Sequence, residues 1–187
     1  MHPKNQQSQV ATLQTQRLTI RPLQESDIPA VQRNFEDWET VRFLTSAVPW
    51  PYPPNGAMQW YRDVVVPGQG ITNWSWAICL KESPEQLVGV IELFRDRASH
   101  RGFWLDRNFR GNGYMEEAAR AVNEHAFTVL GFEKLNFDNA MGNIPSRRIK
   151  EKTGAKLIGV RPASLVDTTI KEMEHWELTK EAWLANR

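Results

Sequence analysis

Residues 101 to 113 read Arg101-Gly-Phe-Trp-Leu-Asp-Arg-Asn-Phe-Arg-Gly-Asn-Gly113. The first five have the composition of a short strand, and the rest form a polar loop bearing two glycines. Directly afterwards Met115, Ala118, Ala119, Val122, Ala126, Val129 and Leu130 recur at helical spacing, so the spacing predicts an amphipathic helix over 114–130, stopped by Gly131. Strand, glycine loop, helix is an arrangement that binds phosphates. The glycines let backbone approach a ligand closely, and the first-turn amides point outward with the helix dipole behind them. The same residues would also serve as a plain turn with no ligand. No Gly-Lys-Ser/Thr follows and no full Gly-x-Gly-x-x-Gly is present, so this is neither a Walker loop nor a dinucleotide fingerprint.

Outward from that loop, elements of both kinds appear. Upstream, Arg17 to Leu23 alternates apolar and polar residues as a half-buried strand stopped by Pro22. Ser26 or Asp27 then caps a helix that carries Pro29 in its first turn and Val31 and Phe35 on one face. Four prolines between Val48 and Pro54 exclude regular structure there. A second helix is expected from about Asn55 to Val65, ended by Pro67-Gly68. Strands are expected at Asn73–Leu80 and Leu87–Phe94, joined by a hairpin turn over Lys81–Gln86. Downstream, the pattern predicts a strand over Lys134–Asn139 and a helix from Asn143-Ile-Pro-Ser146 to Thr153, ended by Gly154. Two further strands follow at Lys156–Val160 and Ile170–Thr179. Together these make a mixed α+β domain on a central sheet, covering residues 13–187 behind a flexible arm at 1–12.

Composition narrows the function. The chain has 187 residues, 41% hydrophobic and 24% charged, which suits one globular domain. Lys plus Arg number 23 against 22 Asp plus Glu, and that balance argues against a protein that grips nucleic-acid backbone. The single cysteine, Cys79, can form neither an internal disulfide nor a thiolate zinc site, so a reducing cytoplasm is the expected compartment and no metal is expected. Residues 1–10 are polar and unlike a signal peptide, and no apolar run approaches the roughly 18 residues needed to cross a membrane.

Taken together, these residues resemble the GCN5-related N-acetyltransferases (GNAT), whose acetyl-CoA loop has the form Gln/Arg-x-x-Gly-x-Gly/Ala between strand and helix. Here it stands as Asn108-Phe-Arg-Gly-Asn-Gly113. The likeness is closer to the branch that acetylates ribosomal-protein N-termini (the RimJ/RimL type). Thr15-Gln-Arg-Leu-Thr-Ile-Arg-Pro22, Gly102-Phe-Trp-Leu105, Asn143-Ile-Pro-Ser146 and Glu151-Lys-Thr-Gly154 match its motifs in order, over roughly residues 13–183. Asn108 departs from the usual loop head, Ala155 from the usual aromatic, and no tyrosine follows Tyr114.

The resemblance implies a central, mostly antiparallel, splayed sheet flanked by about four helices. It implies direct attack of an amine on the thioester of acetyl-CoA, without a metal. Phe103, Trp104 and Leu105 would line the pantetheine arm, with the amides of Trp104 and Leu105 pairing to it. Asn108, Arg110, Gly111, Asn112, Gly113, Tyr114 and Met115 would hold the pyrophosphate. Asn143 would contact pantetheine or water, and Arg148 a CoA phosphate. Ser146 would hydrogen-bond the departing sulfur, although Asn143 and Ser146 also read as helix capping. The acceptor is a protein N-terminus or a small amine such as a polyamine, amino acid or aminoglycoside. A domain that binds acyl-CoA without turnover is the alternative of another class, and the chain would be a monomer or homodimer.

An attacking amine must be neutral. At pH 7 that costs about 1 kcal/mol for an α-amine near ~7.8 but about 4.6 kcal/mol for a lysine near ~10.4, so an N-terminal acceptor needs only a weak base. Glu92 is the first choice of base, since alternation in Leu87-Val-Gly-Val-Ile-Glu-Leu-Phe94 puts it on the face of Val88, Val90 and Phe94, where partial desolvation raises a carboxylate's pKa. His100 would be a proton relay. His125 reads as a packed histidine, Cys79 as a small buried hydrophobe, and Arg147, Arg148 and Lys150 as a solvated basic face. Trp38, Trp50 and Trp60 fall in the segment that would wall the acceptor site.

Overall fold

The computed structural model describes residues 10–186. The alternating segment forms β2 (Leu18–Pro22), in which Leu18 and Ile20 are fully buried. It pairs with the two-residue β1 (Leu13–Gln14) and with β3 (Asn73–Leu80). β3 is apolar on both faces because it lies mid-sheet, paired in turn to β4 (Ser83–Phe94), and β5 (Arg101–Leu105) closes the series. This antiparallel sheet has the order β1-β2-β3-β4-β5. A second antiparallel sheet has the order β6-β8-β7, from β6 (Lys134–Ala140), β7 (Lys156–Pro162) and β8 (Glu172–Thr179).

Helices cover the first sheet on both faces. α5 (Tyr114–Thr128) presents Met115, Ala118, Ala119, Val122 and Ala126 to Trp76, Ile78, Ile91 and Leu93, in a core that continues under the second sheet to Phe137 and Trp176. On the other face, α1 (Ile28–Phe35) and α3 (Gly56–Trp60) bury Ile28, Val31 and Ala57 against Ala77, Cys79, Val90 and Trp104. α3 runs on through a π-helical turn (Tyr61–Val65) into α4 (Val66–Gly68), and α6 (Ile144–Lys152) follows β6. These four helical bodies are the expected ones. The short α2 (Trp38–Val41) and α7 (Lys180–Ala185) were not anticipated.

Several sequence expectations need correction. The β3–β4 turn is only Lys81-Glu82, because Leu80 already pairs with Ser83 and the strand takes in Pro84. The register slips near Cys79, a bulge that leaves Val88 in the α5-side core while Val90 faces the other way. Glu92 therefore shares its face with Val90 but not with Val88. Of the arm expected at 1–12, residues 1–9 lie outside the described residues. Val10 is buried, and the Ala11 carbonyl accepts from Trp76 Nε1 at 2.8 Å.

Candidate active site

The two sheets meet between β5 and β6. At one end the His100 amide donates to the Asn136 carbonyl (2.8 Å), and the Asn136 amide donates to His100 Nδ1 (2.8 Å). Ser99 Oγ then bridges the strands, accepting from the Asp138 amide (3.2 Å) and donating to the Arg101 carbonyl (3.5 Å). Beyond that point no hydrogen bond joins the strands among the described residues, and a V-shaped gap opens.

Which main-chain groups face the gap follows from the ladder. Phe94 N–H donates to His100 C=O, and Asp106 N–H to Val88 C=O. By alternation Trp104, opposite Val90, turns its amide into β4, whereas Phe103 and Leu105 turn theirs toward β6. The expectation for Leu105 agrees with this ladder. That for the Trp104 amide does not, because strand register rather than composition decides which amides are free. Trp104 instead contributes its ring, which meets Phe35 edge-on at 5.6 Å, while Phe35 packs on Tyr52 at 5.1 Å.

At the open end of the V the loop turns into α5. Gly111 (φ 82°) and Gly113 (φ 79°) adopt the left-handed conformation that other residues rarely take. The first helical hydrogen bond is Glu117 N–H to Gly113 C=O. The amides of Tyr114, Met115 and Glu116 therefore precede it without a helical acceptor, and no side chain caps them. Asn112 folds its amide back onto the Phe109 and Arg110 carbonyls. Arg110 braces the loop from behind, donating through Nε to Leu105 C=O (2.9 Å) and through Nη2 to Thr40 Oγ1 (2.9 Å). The Asn108 amide donates to Asp106 Oδ1, and Arg148 stands exposed.

Glu92 lies beside Gly102 on the face of the N-terminal helices, and Ser75 Oγ donates to its carboxylate at 2.8 Å. Burial pushes its pKa up to about 7, against opposing pulls from Ser75 and Arg97. Asn73 and Phe94, two residues along on each strand, line an open cleft of about 450 Å³ together with Asp63, Asp96 and Arg97. Across the V, Asn143 caps α6 by accepting from the Ser146 amide (3.3 Å). Ser146 Oγ accepts from Lys150 Nζ at 2.8 Å. Lys150 is thus buried rather than part of a solvated basic face. His100 holds the two strands together and packs edge-on against Phe132, a structural task in addition to the relay expected of it. Its pKa is lowered by burial and by Lys134. His125 packs edge-on against Trp76, and burial raises the Cys79 thiol to about 11, as their sequence contexts suggested. Trp38 and Trp50 meet at 5.3 Å near the surface.

The model of the acetyltransferase (GNAT) domain matches residues 17–156. The chain belongs to the GNAT acetyltransferase family. An uncharacterised N-acetyltransferase of Bacillus subtilis, YnaD, is 26% identical over 151 residues, covering 78% of this chain and 82% of that protein. Among solved structures, RimL, a ribosomal L7/L12 α-N-protein acetyltransferase in complex with coenzyme A, superposes with a TM-score of 0.75 at 16% identity, covering 92% of this chain and 98% of the other. A spermidine N-acetyltransferase from Vibrio cholerae, bound to CoA and spermine, gives 0.76 at 14% identity, covering 91% and 99%. This GNAT chain is accordingly an acetyl-CoA-dependent N-acetyltransferase, and the splayed sheet is the one expected from its motifs.

Two charged residues within the matched region tie separate elements together. Glu117 accepts from Thr15 Oγ1 (2.6 Å), the Arg17 amide (2.8 Å) and Arg17 Nε (2.7 Å), tying the β1–β2 turn to the start of α5. Arg21 forks onto Asp27 with two bonds of 2.8 Å. Arg17 and Arg21 belong to the Thr15–Pro22 motif, but nothing in the sequence names their partners. Among the described residues no cluster of His, Cys, Asp or Glu is placed to hold a metal, and no helix is long and apolar enough to cross a membrane.

Proposed function

We propose that this enzyme acetylates protein N-terminal α-amines. The observation that carries the reading is Glu92, a desolvated carboxylate held by Ser75 two residues from Asn73 and Phe94 of the cleft lining, with a pKa of about 7 that is near that of an α-amine and far below that of a lysine. At neutral pH such a base can take the proton of an α-amine and is poorly matched to a lysine side chain. The cleft lining sets Asp63 and Asp96 against Arg97, a surplus of one negative charge that matches the single ammonium of a peptide end better than the several of a polycation.

Acetyl-CoA fits the residues that face it. The free N–H and C=O of Phe103 and the free N–H of Leu105 pair with the pantetheine arm as a missing strand would, and the amides polarise the thioester carbonyl. The amides of Gly111, Asn112, Gly113, Tyr114 and Met115 hold the pyrophosphate. Nothing lies within 4 Å of where a Cβ on Gly111 would stand, so the cradle is open. Arg148 contacts a CoA phosphate, and Asn143 and Ser146 lie on the β6 side of the thioester. Arg110 and Asn108 shape the loop.

The test is calorimetric binding of acetyl-CoA followed by CoA-thiol release on addition of peptides with free N-termini, their N-blocked lysine-containing counterparts, and small amines including spermidine. Release with free N-termini and not with blocked peptides is the expected result. Release with small amines alone moves the acceptor to that class, and binding without any release favours a sensor domain.

A further inference from the structure

Lys150 is 2% exposed, yet no carboxylate touches its ammonium. Nζ has three neutral partners: Ser146 Oγ at 2.8 Å, Asn139 Oδ1 at 3.3 Å and the Ser146 carbonyl at 3.4 Å. The nearby acids are engaged elsewhere. Glu174 on β8 accepts from Arg147, Asn139 and Trp176, and Asp138 on β6 accepts from Arg161 and contacts His175. From β5, Arg101 adds a like charge, its guanidinium bonded to Asn123 of α5. On the gap side, Nζ lies 5.5 Å from the centre of the Phe103 ring.

A buried ammonium with no counterion costs stability, so its arrangement needs a reason. The geometry supplies one. A hydroxyl that accepts from an ammonium keeps its own hydrogen free to donate elsewhere, and the adjacent positive charge makes that hydrogen more acidic. The chain's three tyrosines are Tyr52, Tyr61 and Tyr114, and α6 carries none.

We propose that Ser146 and Lys150 form a proton relay to the departing sulfur of CoA. The inference rests on the acetyl-CoA site described above, with Ser146 at the sulfur, and not on the identity of the acceptor. When the carbon–sulfur bond breaks, its electron pair stays on sulfur. The Ser146 hydroxyl proton passes to the sulfur, and a proton from Lys150 Nζ passes to Ser146 Oγ, leaving Lys150 neutral. The proton lost by the attacking amine goes to Glu92, and solvent then reprotonates Lys150 and deprotonates Glu92. The net products are the N-acetylated amine and CoA thiol. Ser146 is the group at the reacting atom, and Lys150 is a positioning residue acting through it. Burial first, and Arg101 next, lower the Lys150 pKa to about 7, while Glu174 and Asp138 pull it back up, so its proton is transferable near neutral pH.

The test titrates the thiol of CoA bound to the enzyme, followed by thiolate ultraviolet absorbance, in wild type and Lys150→Met. In wild type the bound thiol ionises about tenfold more readily, and Lys150→Met raises its midpoint by about one pH unit with CoA affinity retained. Turnover of Lys150→Met falls about 10- to 100-fold at unchanged KM for acetyl-CoA. The decline of kcat as pH rises through the Lys150 titration disappears. Ser146→Ala, which removes only a hydroxyl, gives the same thiol midpoint as Lys150→Met, and the double variant adds nothing. Equal thiol midpoints in wild type and Ser146→Ala, with CoA bound in both, overturn the relay. A shifted midpoint without peptide-dependent turnover upholds the relay and refutes the N-terminal acceptor.

Discussion

Replacing Glu92 with Gln separates a desolvated base from an ordinary surface acid. Gln keeps the carbonyl oxygen that accepts from Ser75 and removes only the titration. In the folded enzyme the carboxylate titrates near about 7 instead of 4.5. Between those values the native state holds a proton that the unfolded chain has released, so Glu92 makes stability fall as pH rises through that window. The gap corresponds to at most about 3 kcal/mol at pH 8 and above, and to nothing at pH 4. Urea unfolding of both proteins at pH 5 and pH 8.5 reads it directly. The variant gains about 2–3 kcal/mol on wild type between the two conditions, and the comparison cancels the opposite trend contributed by Lys150. The same substitution removes the rise of kcat/KM through neutral pH and lowers it about 100-fold or more. A stability difference that does not change with pH refutes the desolvated carboxylate, and an unchanged rate profile removes Glu92 as the base.

Three other substitutions or treatments probe the frame around the site. Gly111→Val forces a β-branched residue to φ 82°, a strain of about 1–3 kcal/mol on an exposed loop. Calorimetry should find acetyl-CoA affinity reduced tenfold or more, with the fold retained and the thermal midpoint lowered by about 2–12 °C, and retained affinity counts against the phosphate loop. Arg21→Met leaves the Asp27 carboxylate, whose side chain is 3% exposed, without its guanidinium partner; urea unfolding should show a loss of about 3–5 kcal/mol. A loss under about 1 kcal/mol would mean the pair is not a structural tie. Cys79, raised to about 11, should resist alkylation at pH 8 in the native protein and react on unfolding, as mass spectrometry will show.

Legibility in the sequence followed the range of the physics. β5 and the start of α5 fall where alternation and helical spacing put them, because both signals are local. α7 also has a local signal, Thr179 accepting from the Ala182 amide as an N-cap, but Thr179 is at the same time the last residue of β8, whose strand pattern masks it. The orientation of the Trp104 amide and the face of Val88 depend on strand register and on a bulge near Cys79, which composition does not encode. Lys150 sits among Arg147, Arg148 and Lys152, so its surroundings in sequence read as solvated. Only the closure of α6 onto β6 and β8 buries it. Glu117 and Arg17 stand 100 positions apart, a separation at which pattern reading names residues but not partners.

The gap between β5 and β6 also bears on how the enzyme behaves in a crowded cell. Its free N–H and C=O groups amount to an internal sheet edge, the feature that most β-proteins cover to avoid sticking to other chains. The clasp at His100 and Asn136 joins the two strands at one end only, and the rest of the edge stays unpaired. With acetyl-CoA seated as proposed, every product release re-exposes it. An acetyl-CoA pool well above the dissociation constant would keep that edge paired and add folding stability that grows with ligand concentration, coupling the solubility of this protein to the acetyl supply of its surroundings.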